Sequence, residues 1–310
     1  MARVRTAVVH LVRAVNGLAP FEVFMGSYER CAAGLEHELV LLFKGFGGDP
    51  AGLLPYLARA GEHRPGRVEV SDAGFDLTAY VAAASVLEHE RLCFVNSFSE
   101  ILVPGWLGLL DGALADTAVG AAGATGSWAS HLSYGLYQAG LRGGPYAEAF
   151  ESRRAARHAM HALSGSTPAS APADWLYNVV MTACHSTGMA LFPAAHLRTN
   201  AFLVDRALLG SLRTGRARTK WATYHLESGR RSLTSQLRAR GRPPVVVDRA
   251  GVARPPDDWH AGDVFWQAGQ EDLLVADNQT RSYAAATAGE RAVLSAHAWG
   301  PRARPGGGAP

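Results

Sequence analysis

The stretch RLCFVNSFSEILVPGWLGLL, residues 91–110, decides how this chain folds. It opens as a buried strand, Leu92-Cys93-Phe94-Val95, and closes as a helix start, Pro104-Gly105-Trp106-Leu107. Between them sit small polar groups, Asn96-Ser97 and Ser99-Glu100, around Phe98. A hydrophobic strand that stops at a polar cluster and then turns is where α/β proteins place ligand chemistry.

The sequence around it alternates strand and helix over the first 120 residues. TAVVHLV, HELVLLFKGF, RVEVSD and RLCFVNS read as strands. FEVFMGSYERCAAGL, PAGLLPYLARAG, DLTAYVAAASVLE and WLGLLDGALAD carry apolar residues at helical spacing. Strands separated by helices predict a mostly parallel sheet flanked by helices on both faces. From about 130 to 190 the pattern changes to a helical insertion around the small-residue linker SGSTPASAPAD. RTNAFLVDRALLGSL then restores a strand-to-helix unit, and SLTSQLRARGRPPVVVD reads as a helix, a stop and a strand. The expected organisation is one domain over 1–298 and a disordered tail over 299–310.

Composition excludes several classes. At 48% hydrophobic and 18% charged the chain is globular, and a net charge of +3 over 310 residues does not point to nucleic acid. Cys31, Cys93 and Cys184 lie far apart in apolar surroundings, as expected of buried reduced thiols. MARVRTAVVHLVRAVNG has a basic start, but His10 and Arg13 break its apolar run, so it reads as a strand over Thr6–Leu11, not a signal peptide. No run approaches the length needed to span a bilayer. No P-loop, Gly-x-Ser-x-Gly elbow or dinucleotide-binding Gly-x-Gly-x-x-Gly occurs.

Three stretches in this order resemble the GT-A-fold glycosyltransferases of the family-two type, and more closely bacterial relatives found with surface-polysaccharide and rhamnan synthesis F type proteins. SDAGFDLTAYVAAA (71–84) is similar to the family's turn near the donor nucleotide-sugar. CFVNSFSEILVPGWLGLL is similar to the strand that ends in the metal-binding Asp-x-Asp. YHLESGRRSLTSQLRARGRPPVVV resembles the late segment whose acidic residue is the base of inverting enzymes. The resemblance covers roughly residues 6–120 and 198–248. It implies a nucleotide-sugar donor, a glycan or small-molecule hydroxyl as acceptor, a GT-A-like α/β fold, and cytoplasmic placement, at most peripheral at the inner face of the membrane. It also implies a divalent cation, Mg or Mn. Where the family has Asp-x-Asp this chain has Asn96-Ser97-Phe98, and hard cations want carboxylate oxygens. No metal ligand is therefore assigned. Arginines near the site, Arg198, Arg230 and Arg231, are candidates to replace the cation's charge.

Glu227 is the candidate catalytic base; the competing reading places it at a turn or helix start, stabilising a helix N-terminus. Asp72 and Asp76, flanking Gly74, are candidate donor-binding residues, with helix capping by Asp76 as the alternative. Asn96, Ser97 and Glu100 complete the donor-side set; Asn96 and Ser97 also suit a local turn. GATGSWASH is expected to be a flexible polar loop offering Trp128 and His131 to an acceptor, and Arg198, Asn200 and Arg230 are acceptor or phosphate candidates. The acidic segment 270–283 is a capped surface helix or a cover over the site. The rivals to a glycosyltransferase are an inactive nucleotide-sugar or glycan binder of the same shape, and a nucleotidyltransferase. The latter lacks its Gly-rich phosphate loop after AVVHLV.

Overall fold

A computed structural model describes residues 4–74, 76–141, 144–164, 175–176, 179–180, 182–184, 186–214 and 220–306. Its strands are β1 (Thr6–Arg13), β2 (Glu38–Lys44), β3 (Gly66–Val70), β4 (Arg91–Val95), β5 (Glu100–Ile101) and β6 (Ala121–Gly123). They continue as β7 (Gly126–Ser127), β8 (His196–Leu197), β9 (Ala201–Asp205), β10 (Val245–Val247), β11 (Ala253–Arg254) and β12 (Val275–Ala276). Among the described residues eight of them form one sheet in the order β11-β10-β6-β9-β4-β1-β2-β3. Pairings β2–β3, β1–β2, β1–β4 and β6–β10 are parallel; β9 runs antiparallel between β4 and β6, and β11 antiparallel at one edge. The mostly parallel α/β sheet expected from the alternating pattern is present.

The central strands read as unbroken apolar runs because both faces are covered. Against one face, Val8, Val12, Leu41, Phe43 and Val95 pack on α1 (Ala19–Arg30), α2 (Pro50–Arg59) and, beyond α3 (Asp76–Val86), α4 (Trp106–Ala113). Against the other, Val9, Leu11, Leu42 and Phe94 meet Tyr80 of α3. Local chemistry sets the helix starts: Pro20 and Pro50 open α1 and α2, and the Asp49 carboxylate accepts from Ala51 N at 3.0 Å.

The insertion contributes α5 (His131–Gln138), α6 (Gly144–Ala149) and α7 (Arg153–Ser164); Tyr137, Tyr146, Phe150 and Ala156 form a third core with Ala296. Helices α6 and α7 are parted at Phe150-Glu151-Ser152. Residues 165–174 of the linker lie outside the described residues. After it come α8 (Arg206–Gly210), α9 (Lys220–Ser228), α10 (Leu233–Ala239), α11 (Asn278–Ala285) and α12 (Ala288–Trp299).

Three expectations are corrected. Residues 123–128 and Ser130 are buried, with Ala129 and His131 half-buried, rather than a flexible loop: β7 pairs with β8, and Gly126 is needed because the Trp259 indole lies where a Cβ would be. Residues 299–306 are tied to the body by specific contacts rather than disordered, although Pro301, Arg302, Arg304 and Pro305 are exposed. Trp299 is fully buried with Nε1 donating to Phe265 O at 2.7 Å, and Arg304 N donates to Gln267 Oε1 at 2.8 Å. Burying an indole with its N–H satisfied holds that end of the chain in place; 307–310 lie outside the described residues. Cys31 and Cys93 are buried, but Cys184 is exposed.

Candidate active site

Parallel pairing brings the C-terminal ends of β1, β2, β3 and β4 to one edge. The antiparallel β9 adds its N-terminal end there, since Ala201 pairs with Val95. Arg13, Lys44, Asp72, Asn96 and Arg198–Asn200 therefore gather at one edge of the sheet.

Lys44, at the end of β2, is 1% exposed, and its Nζ donates to Asp72 O at 2.8 Å and Asp72 Oδ1 at 2.9 Å. The Asp72 carboxylate is itself 71% exposed. Lys44 holds it below the usual carboxylate range, first by the hydrogen bond and then by charge. Gly45, at φ 84°, lets the chain turn here; a Cβ on it would lie 3.2 Å from Asp72 Oδ1. Asp72 is thus anchored on one oxygen and open to solvent. Asp76, the first residue of α3, is shielded enough that burial raises its carboxyl, against the opposing charges of Arg13 and Lys44. Arg13 and Lys44 were absent from the sequence candidates. Lys44 left one signal, a lysine closing an apolar strand in a chain with almost none.

Glu227 lies in the last turn of α9, not at a helix start. That placement removes the helix N-terminus reading, because the C-terminal end of a helix dipole disfavours a carboxylate. Burial pushes its carboxyl up to about 7, the negative charge of Asp76 adds to the rise, and Arg198 opposes it. The buried Tyr80 phenol is raised by burial and then by the charges of Asp76 and Glu227. Residues from three distant segments therefore share one electrostatic neighbourhood: Asp76 and Tyr80, Arg198, and Glu227.

The Arg198 guanidinium lies 3.9 Å above the Phe265 ring, and its Nη2 donates to Asp277 Oδ2 and Gln279 Oε1, each at 2.9 Å. Asp277 is 1% exposed and caps α11 in a capping box with Thr280, so the acidic segment is a capped helix that also holds Arg198. Arg198 Nη1, Arg13 Nε and Asn16 Nδ2 are buried donors without a hydrogen-bond partner among the described residues. Buried polar groups are ordinarily satisfied, so these three donors stand out at the strand-end edge.

The other candidates serve the scaffold. Asn96 Oδ1 accepts from Phe98 N and Ser99 Oγ, each at 2.9 Å, as an Asx turn. Ser97 Oγ donates to Leu11 O at 2.8 Å, tying β4 to β1. Glu100 faces Arg30 and Arg281, each at 3.6 Å, on the β5–β12 pair. Asn200 Oδ1 accepts from Thr125 Oγ1 at 2.5 Å while Nδ2 donates to Val275 O at 3.3 Å. Trp128 is buried against Phe192, His260 and Trp299, its Nε1 donating to Pro256 O at 2.8 Å. The His131 ring lies 4.7 Å from that of Tyr224 on α9, and Arg230 is exposed with Nε donating to Met189 O at 3.2 Å.

The residues at the end of β4 are engaged within the fold. Asn96 is spent on a turn, Ser97 on Leu11, and Glu100 on two arginines, and no cluster of three or more His, Cys, Asp or Glu suited to a metal occurs among the described residues.

No protein-family model matches the chain, and no curated protein matches it. Among solved structures it is similar to glucosyl-3-phosphoglycerate synthase from Mycobacterium tuberculosis in complex with Mn2+, UDP and phosphoglyceric acid. That similarity is 15% identity over 78% of this chain and 67% of that one, at a TM-score of 0.39. The same enzyme with Mn2+, UDP and glucosyl-3-phosphoglycerate gives 18% identity, 67% and 59% coverage, and a TM-score of 0.35. A mannosyltransferase from Pyrobaculum calidifontis in complex with GDP-Man and Mn2+ gives 15% identity, 84% and 60% coverage, and a TM-score of 0.37. This chain thus spans between 59% and 67% of the length of these structures.

Proposed function

We propose that the protein is a GT-A-type glycosyltransferase that moves a sugar from a nucleoside diphosphate donor to a hydroxyl of a glycan or small molecule, in surface-polysaccharide or related glycoconjugate synthesis. One observation carries this reading: Glu227, held at about 7 beside Asp76 and Arg198, at an edge that also offers orphaned buried donors. A general base works best when its pKa lies near the working pH. The ionised Glu227 takes the proton of the acceptor hydroxyl as its oxygen bonds to the anomeric carbon. The bond from that carbon to the diphosphate oxygen breaks, and the nucleoside diphosphate leaves with the electron pair, which gives inversion.

Asp72 and Asp76, with Gly74 at φ 74° shaping the turn between them, are assigned to the donor's nucleoside or sugar hydroxyls. Arg198 Nη1 and Arg13 offset the departing diphosphate, the task a cation performs elsewhere. Asn96, Ser97 and Asn200 act by holding the edge in shape. A donor-binding protein without turnover is the second reading, favoured by the missing carboxylate pair at Asn96-Ser97.

Thermal shift with uridine, guanosine, thymidine and cytidine diphospho-sugars tests donor binding. A ligand at a hundredfold excess over its Kd adds ~2.7 kcal/mol to the folded state. If none of these donors raises the melting temperature, the reading fails.

A further inference from the structure

Charge is unevenly placed along this chain. Residues 206–242 hold ten of the 30 basic residues and only one, Glu227, of the 27 acidic ones. That stretch is strongly positive while the remainder is net acidic, an asymmetry that points to an anionic partner. Arg213, Arg230, Arg231, Arg238 and Arg240 are exposed. The Gln236 side chain gathers part of the group: its Nε2 donates to Arg213 O and Arg231 O, each at 3.0 Å, and its Oε1 accepts from Arg213 N at 2.8 Å. Arg240 Nη2 donates to Ser211 O at 3.0 Å, which places it on the same surface. Arg238 reaches Asp257 at 3.4 Å, but Arg213, Arg231 and Arg240 have no ion pair among the described residues.

Apolar side chains stand exposed on the helical insertion, one end of which meets this face. Gly229 bridges to Met189, and Arg230 N donates to Gly188 O at 2.9 Å, so the arginine face adjoins the end of the helical insertion. The insertion exposes Leu141 (61%), Trp175 (52%), Leu176 (56%) and Leu191 (43%). The Trp175 indole donates to Ala139 O at 3.1 Å, which brings it to the end of α5 near Leu141. No described helix is long and apolar enough to cross a membrane. Arginines beside exposed aliphatic and indole groups make a surface suited to lying on a bilayer. The exposed aliphatics favour lipid over nucleic acid, whose backbone would need only the charges.

We infer that this face docks on an anionic phospholipid bilayer, with Arg213, Arg238 and Arg240 at the headgroup phosphates and Trp175, Leu176 and Leu191 at the acyl boundary. Its consequence rests on the proposed function: Glu227 precedes Arg230 by one short turn, so docking presents the site to a membrane-held acceptor.

Sedimentation of the full chain with vesicles tests this. Mixed phosphatidylglycerol–phosphatidylcholine vesicles should pellet the protein, and pure phosphatidylcholine vesicles should not. Each arginine near such a surface contributes about 1 kcal/mol, so the triple variant Arg213→Glu, Arg238→Glu, Arg240→Glu should bind at least about tenfold more weakly. Trp175→Ser with Leu176→Ser should weaken vesicle binding while leaving the melting temperature unchanged. Three results overturn the inference: equal binding to both vesicle types, wild-type binding by the triple variant, or tighter binding of duplex DNA that ignores the Trp175 and Leu176 changes. Vesicle binding needs no donor. A nucleotide-sugar shift without vesicle binding therefore removes the docking face alone, and vesicle binding without any such shift removes the transfer reading alone.

Discussion

Glu227, in the last turn of α9, has its carboxyl raised to about 7 partly by Asp76 at the start of α3, with Arg198 opposing from the turn before β9. Burial raises both carboxyls, and the charge of Asp76 adds to the rise at Glu227.

Glu227→Gln keeps the side chain's size and most of its hydrogen bonding but removes its basicity. General-base assistance is worth ~10²–10⁴-fold in rate. Turnover should fall by at least roughly two orders of magnitude with donor affinity unchanged, and the wild-type rate should climb as pH rises through about 7. Near-normal transfer by the variant would exclude Glu227 as the base and bring Asp72 and Asp76 forward.

The same residue carries a stability signature. Its folded value, about 7, lies above its ordinary 4.5, so between these values the native state keeps a proton that the unfolded chain has released. Wild-type stability therefore falls as pH rises across that window, by roughly 1–3 kcal/mol for a partly shielded group. Urea titrations should show Glu227→Gln gaining on wild type from pH 4.5 to 8 and level with it at the acid end. A constant difference at every pH contradicts the raised value.

Buried histidines act in the opposite sense. Burial depresses His10, stacked on Phe24 at 3.7 Å, and His297 from 6.5 to about 3. Their contribution to stability is complete above 6.5 and is lost as pH falls toward 3. Each adds a slope of about 1.4 kcal/mol per pH unit in that range. His10→Phe should flatten the acid limb of the stability profile; an unaltered limb removes His10 from this account.

Arg198 and Asp277 form a pair with one member almost fully buried. Removing only the arginine strands the Asp277 carboxylate, so Arg198→Ala should cost ~3–5 kcal/mol. Arg198→Met combined with Asp277→Asn should recover part of that loss, because no unpaired charge stays behind. A double variant as unstable as Arg198→Ala argues that packing on Phe265, rather than charge, dominates the site.

The residues at the end of β4 offer no carboxylate pair to a cation. Donor binding and transfer are therefore expected to persist in excess chelator. Strict loss of both in chelator, restored by adding back manganese or magnesium, contradicts this and returns attention to Glu100.

What the sequence by itself determined was the sheet's interior and its general architecture. Thr6–Arg13, Glu38–Lys44 and Arg91–Val95 are apolar on both faces, and a strand of that kind is stable only between two helical layers. Glu227 came among the candidates through the resemblance of its segment, not through any local pattern. Tertiary structure alone decided the rest. The direction of β9 depends on pairing with both β4 and β6, and no strand encodes its neighbour's direction. The small residues of GATGS, read as a loop, are small because Trp259 and Leu197 pack on Gly126 and Gly123. The sequence signal for flexibility and that for close packing were the same. The raised carboxyl of Glu227 follows from burial, a neighbouring Asp76 and the end of a helix, all set by segments distant in the chain. A pKa reports the medium and charges around a group, and only the folded chain supplies them.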